Sequence, residues 1–234
     1  MNALTEQPIA TGIKAWPTNE RPRERLMAGE AAKLSEAELI ALLLRSGIRG
    51  KDAVALGREL LTGFGGLRGL FQARPERLQQ VSGLGAAKVA AVLAVAELAQ
   101  RFLREEMPGR DVIRDPQTVV DYLTAALRDR KREVFKVIFL DKANRVLGDS
   151  DLFIGTIDEA AVHPREVVKA ALDRFATAVI LVHNHPSGRV EPSPEDRRLT
   201  DKIKSACETV AIKVLDHIIV GDNQHFSFRE AGLL

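Results

Sequence analysis

The chain has 234 residues, 45% of them hydrophobic and 28% charged, with 17 glycines and 10 prolines. That is ordinary globular composition: it excludes wholesale disorder and low-complexity architectures, and the length suits one large domain or two small ones. A formal net charge of +2, from 34 basic and 32 acidic residues, is too balanced to imply nucleic-acid binding by itself.

In chain order, the N-terminal stretch lacks a basic segment followed by an apolar one, so it does not read as a secretory signal. Everything from there to about residue 103 reads as helix. Ser35 and Glu38 form a capping box opening the apolar run 39–44, which Ser46 and Gly47 end. Asp52 can cap a helix over 53–61 that stops at Thr62 and Gly63. Gly63, Gly65 and Gly66 make a turn, and helix signals resume at 67–71 and 75–81. Residues 82–85 then turn into a long alanine-rich helix over 86–103. The apolar stretches 39–44 and 89–96 fall far short of the roughly 20 residues that span a bilayer, so no membrane partner is expected.

A charged segment with Pro108, Gly109 and Pro116, residues 104–116, has linker chemistry. It divides an all-helical domain, 1–108, from a second domain, 112–234. Residues 1–110 carry 16 basic and 12 acidic side chains, and residues 111–234 carry 18 and 20. Asp115 and Pro116 start a helix to about residue 127. Strands are predicted at 134–140, 145–147, 152–157, 178–182, 212–220 and 225–228, with helices at 164–176 and 194–207. Strands alternating with helices indicate an α/β or α+β layer. Cys207 is the only cysteine, which excludes disulfides and a cysteine zinc site and points to a reducing, cytoplasmic location.

The chemistry concentrates in residues 182–196. His183 and His185 follow a buried strand, and residues two apart in an extended chain point to the same side. Pro194 fits the first position of a helix, which puts Asp196 in its first turn. Two imidazoles and a carboxylate make three ligands and leave a fourth position for water, the pattern of a catalytic rather than a structural zinc. Such a site needs a base outside the metal shell. Glu133 opens the strand 134–140, and Glu159 and Glu166 compete with it. The same serine and aspartate, Ser193 and Asp196, equally make a helix cap. His217 and His225 read as structural residues at the ends of apolar runs, and His163 as a helix-entry residue.

The spacing of His183, His185, Ser193 and Asp196 resembles the JAMM (MPN+) metalloprotease motif, and the segment opening at Glu133 resembles that family's upstream strand. The form of residues 183–188, residues 214–218, and the N-terminal segments 23–26 and 46–51 resemble the RadC family. The resemblance implies an all-helical N-terminal domain followed by a mixed-sheet JAMM/MPN-like, cytidine-deaminase-like domain. It implies one Zn2+ per chain on His183, His185 and Asp196. Ser193 would orient groups or stabilise an oxyanion. Glu133 would take a proton from the attacking water and give it to the leaving amine. The implied activity is amide-bond hydrolysis of a peptide or protein whose identity the sequence does not give.

Residues 78–88 resemble a helix-hairpin-helix. Gly83 and Gly85 permit a turn whose free amides open the next helix, and Lys88 could reinforce a phosphate contact there. A plain helical hairpin explains the same residues. This leaves a second functional reading: a DNA-associated, repair-accessory binding module with a non-catalytic zinc site.

Overall fold

The computed structural model describes residues 12–105, 107–112, 116–155 and 162–234. The chain divides into two units, Met1–Ala99 and Gln100–Leu234, the division falling within one long helix.

The first unit is helical where it is described. Helix α1 (Pro22–Met27), absent from the sequence reading, starts with proline at N1. Three of its six residues, Arg23, Glu24 and Arg25, are charged and consecutive, so no apolar period announces it. Helix α2 (Glu36–Leu44) carries the expected capping box. The Glu38 carboxylate accepts the Ser35 N–H at 2.8 Å, and Ser35 Oγ accepts the Glu38 N–H at 3.3 Å. Asp52 accepts the Ala55 N–H at 2.8 Å and caps α3 (Ala53–Phe64). This helix runs past the expected stop at Gly63 and ends at Gly65, whose φ of +75° supplies the left-handed cap. Short helices α4 (Leu67–Phe71) and α5 (Pro75–Gln79) lead to α6 (Ala86–Glu105). Ile40, Leu44, Leu56, Leu60, Leu70, Leu78 and Val92 form the core.

The second unit is a mixed sheet covered by helices on both faces. After α7 (Pro116–Leu127) come β1 (Glu133–Leu140), β2 (Val146–Gly155), α8 (Pro164–Leu172), β3 (Ala178–Asn184), α9 (Pro194–Glu208), β4 (Lys213–Val220) and β5 (His225–Ser227). The sheet order is β2-β1-β3-β4-β5. Only β3 and β4 pair in parallel, joined by a crossover that contains α9. Strands β1 and β3 are buried along almost their whole length, because alternate residues enter two different cores. Val134, Ile138, Leu140, Ile180 and Val182 meet Val119, Leu123 and Leu127 of α7. Phe135, Val137, Phe139, Val179 and Leu181 meet Val167 of α8 and Ile203 and Cys207 of α9.

Three expected boundaries differ most: β3 runs on past 182 to Asn184, so His183 lies within the strand rather than after it. Strand β2 is one ten-residue strand rather than pieces at 145–147 and 152–157. Its polar middle, 148–151, lies outside both predicted pieces, yet Asp149 and Asp151 there face the ammonium of Lys136 on β1. Helix α8 stops at Leu172 rather than 176, and Phe175 beyond it takes a left-handed φ of +54°. Residues 156 and 157, Asp115 and Glu159 lie outside the described residues. Among those described, no helix is long and apolar enough to cross a membrane.

Candidate metal centre

Ligand sites in open sheets form beyond the carboxyl ends of strands. Here β3 ends at Asn184 and the chain passes through a loop into α9. Because β1 is antiparallel to β3, its first residues lie beside that same end, with Phe135 paired to His183. Alternation puts Glu133, Phe135 and His183 on one face of the sheet. The Phe135 ring stacks on His183, with centroids 6.4 Å apart and 12° between planes.

His183, His185 and Asp196 come together, with one donor atom of each lying within 4.8 Å of the others. His183 and Asp196 are each 1% exposed and His185 15%. Asp196 is held by the expected capping box, with Ser193 at the N-cap of α9 and proline at N1. One oxygen, Oδ2, accepts the Ser193 N–H at 2.8 Å and the Ser193 hydroxyl at 2.7 Å. The other, Oδ1, is buried without a hydrogen-bond partner, 3.2 Å from His183 Nε2. The capping and ligand readings of this segment are therefore compatible: the cap occupies Oδ2, which lies 3.6 Å from His185 Nε2, and leaves Oδ1 facing His183.

Hydrogen bonding fixes which nitrogens carry protons. A carbonyl only accepts, so His185 Nδ1–H donates to the Arg189 carbonyl at 2.9 Å and Nε2 of the neutral ring is bare. The Thr200 hydroxyl donates to the Asp196 backbone carbonyl at 2.6 Å, and its proton is thereby used. Thr200 Oγ1 must then accept from His217 Nδ1–H, also at 2.6 Å. Burial keeps His217 neutral, its proton affinity falling well below the ordinary imidazole value. Its bare Nε2 accepts from His183 Nδ1–H at 2.8 Å. His183 Nε2 is then also bare, and it sits 3.0 Å from His185 Nε2. Two imidazole lone pairs and an orphaned carboxylate oxygen converge in a buried space, a donor set that fits a divalent cation with nitrogen and oxygen ligands.

Electrostatics agree with this reading. Burial pushes the Asp196 carboxyl up, but His183, His185 and Ser193 together hold it far below the usual carboxylate range. His185 is raised above the ordinary imidazole value, chiefly by the neighbouring Asp196 carboxylate and against the effect of burial. The Glu133 carboxylate adds a smaller contribution to that rise, so its charge is felt at the site.

The remaining candidates fall as follows. Ser193 gives its one hydroxyl proton to Asp196, which suits it to orienting that carboxylate. Glu166 is exposed and paired with Arg165 at 3.2 Å. His163 and His225 are exposed, and Cys207 is core. In the first unit, Gly83 has φ +88°, and an added Cβ there would lie 2.1 Å from Ile48 Cγ2. The Lys88 ammonium donates to the Ser46 carbonyl at 2.7 Å and the Gly47 carbonyl at 3.4 Å. Gly85 has ordinary φ and nothing within 4 Å of a Cβ built on it.

Three residues that the sequence reading assigned no role at the site also belong to its surroundings. Thr200 lies one helical turn after Asp196, a spacing that could have flagged it. His217 comes from the neighbouring parallel strand, and only the strand pairing reveals it. Asn184, fully buried, accepts the Val134 N–H at 2.9 Å and donates to the carbonyls of Arg130 and Arg132 at 3.2 Å. It thus holds both flanks of Glu133.

Comparison with known proteins accords with this architecture. Residues 113–233 match the RadC-like JAB domain, and residues 13–90 match the UPF0758 N-terminal family. A UPF0758 protein of Nitrosococcus oceani is 51% identical over 222 residues, 95% of this chain and 99% of that one. UPF0758 proteins of Pseudomonas fluorescens and Shewanella loihica are 50% and 47% identical, over 95% and 94% of this chain and 99% and 98% of theirs. With its C-terminal domain matched and about 95% of its length shared with these relatives, the chain belongs to the RadC family of UPF0758 proteins.

Proposed function

We propose that this chain is a zinc-dependent hydrolase of amide bonds, acting on a peptide or protein substrate. The observation that carries the reading is the orphaned Oδ1 of Asp196 beside two bare imidazole nitrogens. His183, His185 and Asp196 would hold one zinc ion. A bound zinc supplies Lewis acidity toward a carbonyl oxygen and lowers the pKa of water.

The chain's own residues do the rest. Asp196 is aimed by Ser193, and His185 by the Arg189 carbonyl. Glu133 is half-buried at the start of β1, on the ligand face, with its backbone framed by Asn184. From there it would accept a proton from the attacking water and return it to the leaving amine. Phe228, stacked on His217, and Phe135, edge-on to it, keep the rear of the site dry. The single buried thiol suits a reducing cytoplasm.

The test is metal analysis of protein purified without chelator. One zinc per chain is expected in wild type and none in His183→Ala or Asp196→Ala. Glu133→Gln should keep its zinc and lose at least about 100-fold in peptide hydrolysis. A folded wild-type chain free of metal, and unable to take it up, would sink this reading. DNA association through the Gly83–Lys88 turn is a separate proposal. It requires salt-dependent duplex binding that Lys88→Glu abolishes.

A further inference from the structure

We propose that Thr200 and His217 are positioning residues that set the tautomer of His183 and so present its Nε2 lone pair to the metal. The proposal rests on the metal-site reading above. The chain of contacts is closed. It leaves Asp196 through its backbone carbonyl, passes through the Thr200 hydroxyl and both nitrogens of His217, and reaches His183. From His183 Nε2 it returns to Asp196 Oδ1 at 3.2 Å. Three elements, α9, β4 and β3, are tied by one chain of directed protons, which ends at His183 and leaves its Nε2 and Asp196 Oδ1 facing each other with no proton between them.

The direction is decided at Thr200. Its oxygen lies 2.6 Å from the Asp196 carbonyl oxygen, a separation that oxygens occupy with a proton between them. That proton cannot also serve His217, so His217 must donate from Nδ1 and accept at Nε2. His183 is left one arrangement, Nδ1–H toward His217 and Nε2 bare toward the site. His217 is fully buried between Phe135 and Phe228, and water has no place in this choice.

Removing the Thr200 hydroxyl reverses the logic. In Thr200→Val the His217 Nδ1–H would be buried without an acceptor, which is costly. The proton moves to His217 Nε2, where its neighbour is His183 Nδ1. That nitrogen must then accept, and the His183 proton moves to Nε2, into the ligand position. No proton is gained or lost; two tautomers exchange together. Thr200 therefore governs a ligand whose side chain it does not touch.

The experiment reads nitrogen-15 imidazole shifts of His183 in metal-free wild type, Thr200→Val and Thr200→Ser, with zinc affinity measured by chelator competition. Wild type and Thr200→Ser should show His183 as the Nδ1–H tautomer and share one affinity. Thr200→Val should show the Nε2–H tautomer and bind zinc about 10–100-fold more weakly. Metal-free wild type with His183 already protonated at Nε2, or a folded Thr200→Val with unchanged tautomer and affinity, would overturn the relay. If the wild type binds no zinc, the metal reading fails, while the shifts, taken without metal, still decide the relay. The wild-type spectrum alone suffices should Thr200→Val not fold.

Discussion

Asp196 divides its two carboxylate oxygens between two tasks. Oδ2 closes the capping box with Ser193, and Oδ1 is left toward His183. On the proposed reading a helix cap orients a ligand, and the same substitution should disturb both. Ser193→Ala removes the acceptor for the Asp196 N–H and the hydroxyl that donates to Oδ2. It should lower stability by about 1 kcal/mol in denaturant unfolding. It should also weaken zinc binding in the same chelator competition, because the carboxylate is no longer fixed in rotation. Loss of stability with unchanged affinity would mean that Ser193 caps the helix and does nothing for the ligand.

The elements explain why those residues meet. A parallel β3–α9–β4 connection brings the end of β3, the start of α9 and the middle of β4 together, and antiparallel β1 brings Glu133 alongside. Asn184 locks that last arrangement. Asn184→Ala would leave the Val134 N–H buried without a partner and free the backbone on both sides of Glu133. A loss of about 2 kcal/mol in stability is expected. One zinc per chain should persist, with hydrolysis reduced; loss of the zinc itself would show that Asn184 supports the ligands rather than Glu133. Much of this is legible in sequence. The ligand spacing is local, and the nearly unbroken apolar runs of β1 and β3 announce strands buried on both faces. Helix α1 is hidden because it is short and half of its residues are charged, which leaves no apolar period. The unity of β2 is hidden because its polar middle is explained only by Lys136 on the next strand. Thr200, His217 and Asn184 act through contacts between elements, and a single sequence carries no record of strand order.

At the scale of the whole molecule, that same lysine governs how the fold answers to pH. Lys136 is 2% exposed on the sheet face that meets α7, opposite the face of His183. It pairs with Asp149 and Asp151, while the Tyr122 hydroxyl donates to Asp149 at 3.0 Å. Burial pushes the Asp149 carboxyl up, but the bond from Lys136 and the charges of Lys136 and Arg104 hold it below its ordinary value. A carboxylate with a depressed folded pKa contributes stability above its unfolded pKa, about 3.9, and loses it as pH falls through the folded value. Lys136 is the mirror case. Burial pushes its ammonium down, yet the two aspartates raise it above its ordinary value. Its contribution is complete below about pH 10 and lost as pH rises through the raised value. Lys136→Met removes the cation and leaves two carboxylates facing an apolar side chain. At pH 7 this should cost about 3–5 kcal/mol in urea unfolding. Near pH 4, roughly the ordinary carboxylate value, the aspartates can take up protons and the cost relative to wild type should shrink. An equal loss at both pH values would assign the effect to packing rather than charge. The candidate metal ligand His183 lies on the other face, so if the proposed zinc site holds, the variant that remains folded at pH 7 should still carry one zinc per chain.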